Sequence, residues 1–353
     1  MSKFLKESLK KLESYTPGEQ PQDKSYIKLN TNESPFPPSG GVIKAITKGE
    51  IEDLRLYSDP ECKKLKTAMA RLYNADSKNI FLSNGSDDIL NFSFLCFGEN
   101  GVVFPDITYG FYSVFAELYG LDTEIIPLKE DFTLDTEGFL NKNKLIVIAN
   151  PNAPTGIELS LEKIEEIVKA NKESVVLIDE AYVDFGGTSA AALTRKYDNL
   201  LVVGTFSKSR SLAGARLGFA VADEEIIKDL EKIKYSTNPY NINRLTQIAG
   251  LKAVEENDYY TDNCKKIMEN REYTVKELEA LGFEILPSRA NFIFARTPKI
   301  EGEGLYLELK NKGVLVRHFN NERIKDFNRI TIGSRKEMEA FIKAVKDILG
   351  EKK

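Results

Sequence analysis

The chain has 353 residues, 42% apolar and 29% charged, enough for about two domains with ordinary cores, which excludes disordered, collagen-like and low-complexity polymers. Its 49 Lys and Arg against 54 Asp and Glu give a net charge of −5 without a long basic run, so nucleic acid is not expected as a partner. The three cysteines, Cys62, Cys96 and Cys264, lie far apart with no CxxC spacing, against a zinc site or disulfide framework and for a reducing compartment.

The first segment, MSKFLKESLKKLESY, sets Phe4, Leu5, Leu9 and Leu12 at helical spacing among charges. The spacing predicts a packing helix rather than a signal peptide. No apolar run approaches the ~18 residues of a membrane span, so a cytoplasmic protein is expected. Next comes YTPGEQPQDKSYIKLNTNESPFPPSGG, whose Pro, Gly and Asn predict an extended arm of the kind that reaches a neighbouring subunit. From about Val42 to Val254, amphipathic helical segments alternate with short apolar runs: NIFLS, GVVF, LIVIA, VVLI, LLVVG and LGFAVA. That alternation predicts a parallel sheet covered on both faces, with a ligand outside the carboxyl ends of its strands. A long charged helix is expected from about Asp258 to Ala280, followed by FEIL, ANFIFA, GVLV and NRITI and two further helical segments. The expected division is 1–41 as helix and arm, 42–257 as a large domain, and 258–353 as a small α+β domain.

Neither GxGxxG after a strand nor GxxxxGK[ST] occurs, so dinucleotide and P-loop cradles are missing. The sole histidine, His318, makes a Ser-His-Asp triad or a His-rich metal site improbable. The strand ends are more informative. VVLIDEAY places Asp179 and Glu180 just past one apolar strand, and LLVVGTFSKSR places Ser207 and Lys208 past the next. Taken singly, Asp179 could be a helix cap and Lys208 a solvated surface charge. Other strand ends change the balance. SNGSDDIL is a small-residue turn opening a helix, suited to an anion; PDITYGFY offers the flat ring of Tyr109; NPNAPTG is a rigid turn; and Arg216 follows Lys208 by eight residues. Lysine for an aldehyde, carboxylate for a ring nitrogen, a ring to stack on and an anion cradle are the requirements of pyridoxal phosphate.

The ordered motifs KLNTNESPFPPS, RLYSDPEC, SNGSDD, PDITYGFY, NPNAPTG, IDEAYVDF, TFSKSRSLAGARLGF, PYNIN, ANFIF, VLVRHF and RITIG cover nearly the whole chain. They resemble the fold-type-I aminotransferases and, within them, the histidinol-phosphate aminotransferase family. The resemblance implies an α/β protein with a large, mostly parallel seven-stranded sheet domain and a smaller α+β domain. It implies pyridoxal 5'-phosphate as cofactor, attached to Lys208, which then shuttles the proton. Asp179 would pair with the ring nitrogen, Tyr182 with the ring hydroxylate, and Tyr109 would stack on the ring. Gly85, Ser86, Asp87, Thr205, Ser207 and Arg216 would hold the phosphate, with Tyr57 reaching it from the other subunit of a homodimer.

One position departs from the commoner Asn-Asn-Pro-Thr-Gly motif: Ala153 follows Asn152, leaving Asn152, a water or Tyr182 to cover the hydroxylate. For substrate, the resemblance points to Arg329 as the anchor for the anion distal to the amine, with Arg317 and Tyr15 on the phosphate side and Asn32 nearby in the arm. Surface salt bridges are the alternative for both arginines. The implied reaction is amine transfer from histidinol phosphate to 2-oxoglutarate, giving imidazole-acetol phosphate and glutamate. An aromatic amino acid aminotransferase and a threonine-phosphate decarboxylase share the same features.

Overall fold

The computed structural model describes residues 2–350. Its strands are β1 (Ile27–Lys28), β2 (Ile80–Ser83), β3 (Val102–Pro105), β4 (Thr123–Ile126), β5 (Leu145–Ala149), β6 (Val176–Asp179), β7 (Leu200–Thr205), β8 (Gly218–Val221), β9 (Glu284–Ile285), β10 (Phe292–Arg296), β11 (Val314–Leu315), β12 (Arg317–His318) and β13 (Asn328–Thr331). The helices are α1 (Gly40–Ala45), α2 (Lys48–Glu52), α3 (Lys63–Leu72), α4 (Ser86–Phe97), α5 (Phe111–Tyr119), α6 (Leu161–Ala170), α7 (Glu224–Thr237), α8 (Arg244–Glu255), α9 (Asn257–Ala280), α10 (Gly302–Asn311) and α11 (Arg335–Ile348).

Seven strands form one sheet in the order β2-β8-β7-β6-β5-β3-β4. Every pairing among β7, β6, β5, β3 and β4 is parallel, whereas β8 runs antiparallel to both neighbours. LGFAVA is therefore the exception to the expected parallel set. The edge strand β4, TEII, was not among the expected strands; it alternates exposed and half-buried residues and lacks a continuous apolar run.

Alternation along the central strands assigns their two faces. Ile146, Ile148, Val176, Ile178, Leu200 and Val202 pack on one side with Leu65 and Met69 of α3 and Ile164 of α6. Val147, Ala149, Leu177, Leu201 and Val203 pack on the other with Phe94 of α4 and Tyr112 of α5. A period of two then sends Asp179 to the Leu177 face and Glu180 to the opposite one.

A second sheet, β12-β13-β10-β9, is antiparallel throughout, and β1 of the arm pairs in parallel with β11. Its core gathers Phe283, Ile293, Ile330, Leu305 and Phe341 with Leu29 of the arm. The helix α11 begins with a capping box between Ser334 and Glu337.

The N-terminal expectation is corrected. The first segment holds one 3₁₀ turn at Glu7–Leu9, with no buried residue, and Phe4 is 84% exposed. A short isolated helix is marginal in water without an apolar face to dock, and here Phe4 is exposed while Leu5, Leu9 and Leu12 are only half-buried. Among the described residues no helix is long and apolar enough to cross a membrane, and no group of His, Cys, Asp and Glu could hold a metal ion.

Candidate active site

A cavity of about 830 Å³ opens at the carboxyl ends of β5, β6 and β7, closed on its other sides by the arm and by β12 and β13. Ala149, Asp179 and Thr205 stand at those strand ends, on the face that alternation assigns them, and all three line it. Lys208 enters from the loop after β7, its Nζ 3.2 Å from the Thr31 carbonyl oxygen and 5.9 Å from the Tyr182 ring centroid.

Asp179 is 5% exposed. Its Oδ2 accepts from the Tyr112 hydroxyl at 2.9 Å, and its Oδ1 accepts from the Ala181 N–H at 3.2 Å. Burial lifts its pKa from the ordinary 3.8 to about 6, with these two donors pulling the other way. Tyr112 gave no signal in the sequence, because an aromatic inside an amphipathic helix reads as core. It is core, and it also supports Tyr109 edge-on at 5.7 Å.

Glu180, adjacent in sequence, accepts from the Ser189 hydroxyl and the Ala190 N–H on the opposite face, away from the cavity. Burial raises its pKa to about 8. Asp179 thus faces the site and Glu180 the packing beneath it.

The anion cradle forms where β2 turns into α4. Gly85 holds φ at +85° before Ser86, and no side chain caps the helix, leaving its first N–H groups for a ligand. Gly218 permits this approach: a Cβ there would lie 2.3 Å from the Gly85 carbonyl carbon and 2.4 Å from the Ser86 nitrogen. Thr205 and Ser207 are joined through their hydroxyls at 3.0 Å, and both line the cavity.

Asp87 suits a phosphate through its backbone alone. Its carboxylate, which would repel a phosphate, accepts from the Tyr109 hydroxyl at 2.8 Å and from Arg216 Nη2 at 2.7 Å. The side chain orients the ring and the guanidinium, so only its backbone N–H suits an anion. Burial next to Asp87 drives the Tyr109 pKa strongly upward, so the phenol stays neutral.

Asn152 is corrected as a cover for the hydroxylate. Its Nδ2 donates to the Ile107 carbonyl and to Thr155 Oγ1, both at 3.0 Å, within the turn it braces. The Ala153 methyl lines the cavity instead, against Phe292 and Tyr182. Asn32, expected as a substrate contact, has both ends of its amide engaged: Nδ2 donates to the Tyr182 hydroxyl at 3.0 Å, and Oδ1 accepts from the Thr331 hydroxyl at 2.9 Å.

Arg317 and Arg329 are direct partners across the antiparallel β12–β13 pair, and both line the cavity. Like charges placed opposite each other on neighbouring strands are destabilising unless something neutralises them. Among the described residues neither has a carboxylate within salt-bridge distance: Arg317 donates to the Thr16 and Pro17 carbonyls at 3.3 and 3.4 Å, and Arg329 to the Asn30 carbonyl at 2.9 Å. Arg329 Nε is buried without a partner, and its guanidinium sits 5.5 Å from the Phe292 ring and 5.8 Å from the Phe319 ring. Burial lowers its pKa from the ordinary value, as it should for a cation awaiting an anion. Tyr15 closes this end from the arm, stacked on Phe111 at 4.3 Å. Tyr57 is 81% exposed and stacks on Tyr240, outside the cavity of its own chain.

Residues 24–345 match the family model described as aminotransferase class I and II. A histidinol-phosphate aminotransferase of Brachyspira hyodysenteriae is 52% identical over 352 residues, covering 99% of each chain. The chain belongs to the histidinol-phosphate aminotransferase family. A second member, from Clostridium botulinum (strain Langeland), is 46% identical over 353 residues, spanning 99% of this chain and all of its own. The fold agrees. The crystal structure of the histidinol-phosphate aminotransferase from Clostridium acetobutylicum superposes with a TM-score of 0.85 at 24% identity, over 92% of this chain and 99% of that one. That from Sinorhizobium meliloti, in complex with pyridoxal-5'-phosphate, gives 0.84 at 24% identity, over 93% and 91%.

The family's cofactor is pyridoxal phosphate, and the residues present fit it. A buried carboxylate, a lysine bonded to a backbone carbonyl, an uncapped helix start beside Arg216 and a buttressed aromatic ring converge on one cavity.

Proposed function

We propose that this chain transfers the amino group of histidinol phosphate to 2-oxoglutarate, forming imidazole-acetol phosphate and glutamate, in the site built around Lys208. The observation that carries the substrate is the facing pair Arg317 and Arg329, two cations on adjacent strands beside the cavity with no carboxylate within salt-bridge distance among the described residues. A dianionic phosphate answers that pair, and the fork of each guanidinium suits it. Arg329 then also takes a carboxylate of glutamate in the other half-reaction, with Tyr15 adding a hydroxyl.

When bound, pyridoxal phosphate supplies an electron sink for the carbanion left when the substrate α-carbon loses its proton. Lys208 binds the cofactor and afterwards carries that proton. Asp179, held as the carboxylate by Tyr112 and the Ala181 N–H, keeps the ring nitrogen protonated. Tyr182 donates to the ring oxygen, Tyr109 covers the ring face, and the start of α4 with Thr205, Ser207 and Arg216 holds the phosphate.

The working unit in this proposal is a cytoplasmic homodimer whose partner's copy of Tyr57 completes the site. Supporting it, Tyr57, Leu54, Leu56 and Ile51 are 81%, 49%, 48% and 53% exposed, an apolar strip that a second copy would cover. The proposed domain division, 42–257 and 258–353, assigns the arm to the smaller unit, in line with Leu29 packing in its core; residues 1 and 351–353 lie outside the described residues.

The test is a donor panel with 2-oxoglutarate. Histidinol phosphate should exceed histidinol and phenylalanine in kcat/KM by at least ~100-fold, since a site built on polar recognition rejects analogues lacking the group. Equal rates with phenylalanine would make this an aromatic aminotransferase. Carbon dioxide release from threonine phosphate without amine transfer would make it a lyase.

A further inference from the structure

Asn32 is 1% exposed and holds φ at +56°, a left-handed conformation that asparagine tolerates better than most residues. Three contacts keep it there. Its N–H donates to Thr331 Oγ1 at 3.0 Å, its carbonyl accepts from Asn291 Nδ2 at 3.0 Å, and its Oδ1 accepts the Thr331 hydroxyl at 2.9 Å. Such over-determination of an unusual backbone conformation clusters at sites where geometry serves function.

The consequence falls on Tyr182. With Oδ1 occupied by Thr331, the end of the amide that faces Tyr182 is Nδ2, a donor, 3.0 Å from the phenol oxygen. Tyr182 therefore receives a hydrogen bond, and its own hydrogen has no acceptor among the described residues. That hydrogen is left for the cavity, which Tyr182 lines beside the apolar wall of Ala153. A flipped amide would take the Tyr182 hydrogen for Oδ1 and turn the phenol into an acceptor, unsuited to an anionic oxygen. Donation from Nδ2 also polarises the phenol and strengthens its outward bond.

We infer that Asn32 is a positioning residue which, oriented by Thr331, holds the Tyr182 hydroxyl as a hydrogen-bond donor toward the cofactor's ring oxygen. Thr331 lies two residues beyond Arg329 in β13, and Thr31, next to Asn32, accepts from Lys208. The kink at residues 31–32 thus joins the anion-binding strand to both the lysine and the tyrosine. The inference rests on the proposal that Tyr182 faces the ring oxygen, and the experiment separates the two.

The measurement is the pH midpoint of the bound cofactor's visible absorbance, with the cofactor dissociation constant as a second readout. Asn32→Gly suits the positive φ and deletes the amide without strain. A donor from the protein would stabilise the anionic ring oxygen most when the bound cofactor has lost its proton, so weakening that donor would raise the midpoint. Tyr182→Phe should raise it by about one pH unit and Asn32→Gly by about half to one unit, from the strength of one such bond. Thr331→Val, which frees the amide to flip, should move it the same way and serves if Asn32→Gly does not fold. In the Tyr182→Phe background neither second substitution should add a shift. A midpoint unmoved by Tyr182→Phe would refute the Tyr182 assignment itself. A midpoint moved by Tyr182→Phe but not by Asn32→Gly or Thr331→Val would overturn the role of Asn32 alone, as would equal shifts from these two without the Tyr182 hydroxyl.

Discussion

Replacing Asp179 by Asn should stabilise the cofactor-free protein while weakening its hold on the cofactor, and the size of the gain follows from the site. Burial raises the Asp179 pKa from 3.8 to about 6. The folded chain therefore holds this proton more tightly than the unfolded one. Its contribution to stability is complete below about pH 3.8 and is lost as the pH rises through about 6. The difference of about 2.2 units corresponds to roughly 3 kcal/mol near pH 8, falling to about 0.5 kcal/mol near pH 4. No discount for solvent applies, because the carboxyl is 5% exposed. Asn keeps the shape and can still meet Tyr112 and the Ala181 N–H, so the variant escapes the penalty. For a 353-residue chain unfolding as one unit, about 3 kcal/mol amounts to roughly 4 °C in Tm. The assay is the thermal midpoint of both cofactor-free proteins across this pH range, followed by repetition with saturating pyridoxal phosphate. The variant should gain most at high pH and converge toward the wild type in acid, and cofactor should raise its midpoint less. Curves that stay parallel across the pH range would refute the assignment of a buried carboxyl awaiting a cation.

Gly218→Ala should force the turn before α4 open, since its Cβ would meet the Gly85 carbonyl carbon at 2.3 Å; overpacking of this kind costs about 1–3 kcal/mol. Cofactor retention on dilution should fall by roughly tenfold or more, and unchanged retention would remove the cradle from this turn. Arg329→Ala should reduce kcat/KM in both half-reactions by roughly 30-fold or more, as expected for loss of a buried charged contact. Arg317→Ala should act mainly on histidinol phosphate and leave the glutamate half-reaction less affected; equal losses in both would contradict the separate assignments. Heterodimers of Lys208→Ala with Tyr57→Phe should recover activity through one unimpaired site, and verified heterodimers without recovery would mean that Tyr57 serves its own chain.

The chemistry was more legible in the sequence than its support. Lys208 and Asp179 announce themselves because polar residues directly after continuous apolar strands must lie at the sheet's carboxyl edge. The direction of β8 is absent from LGFAVA, since an apolar run reads the same either way; it emerges only from pairing with β2 and β7. The facing arginines were visible singly, but their opposition depends on β12–β13 register, which the eleven intervening sequence positions do not encode. Tyr112 was not legible as a functional partner, and Asn32 was legible only as a substrate contact and not as a partner of Tyr182, for a shared reason. Each acts through another side chain, so its residue type is equally suited to a core or a turn. The bonds of the Asp87 carboxylate to Tyr109 and Arg216 were not legible, because the helix start that attracts an anion also attracts a carboxylate from its own chain.

The proposed reaction depends on Lys208, which lines the cavity, as the attachment point of the cofactor. Borohydride reduction of the cofactor-loaded protein followed by peptide mapping should place the pyridoxyl group on Lys208 alone, and Lys208→Ala should take up no label. Label on a different lysine, or full labelling of the Lys208→Ala protein, would contradict it.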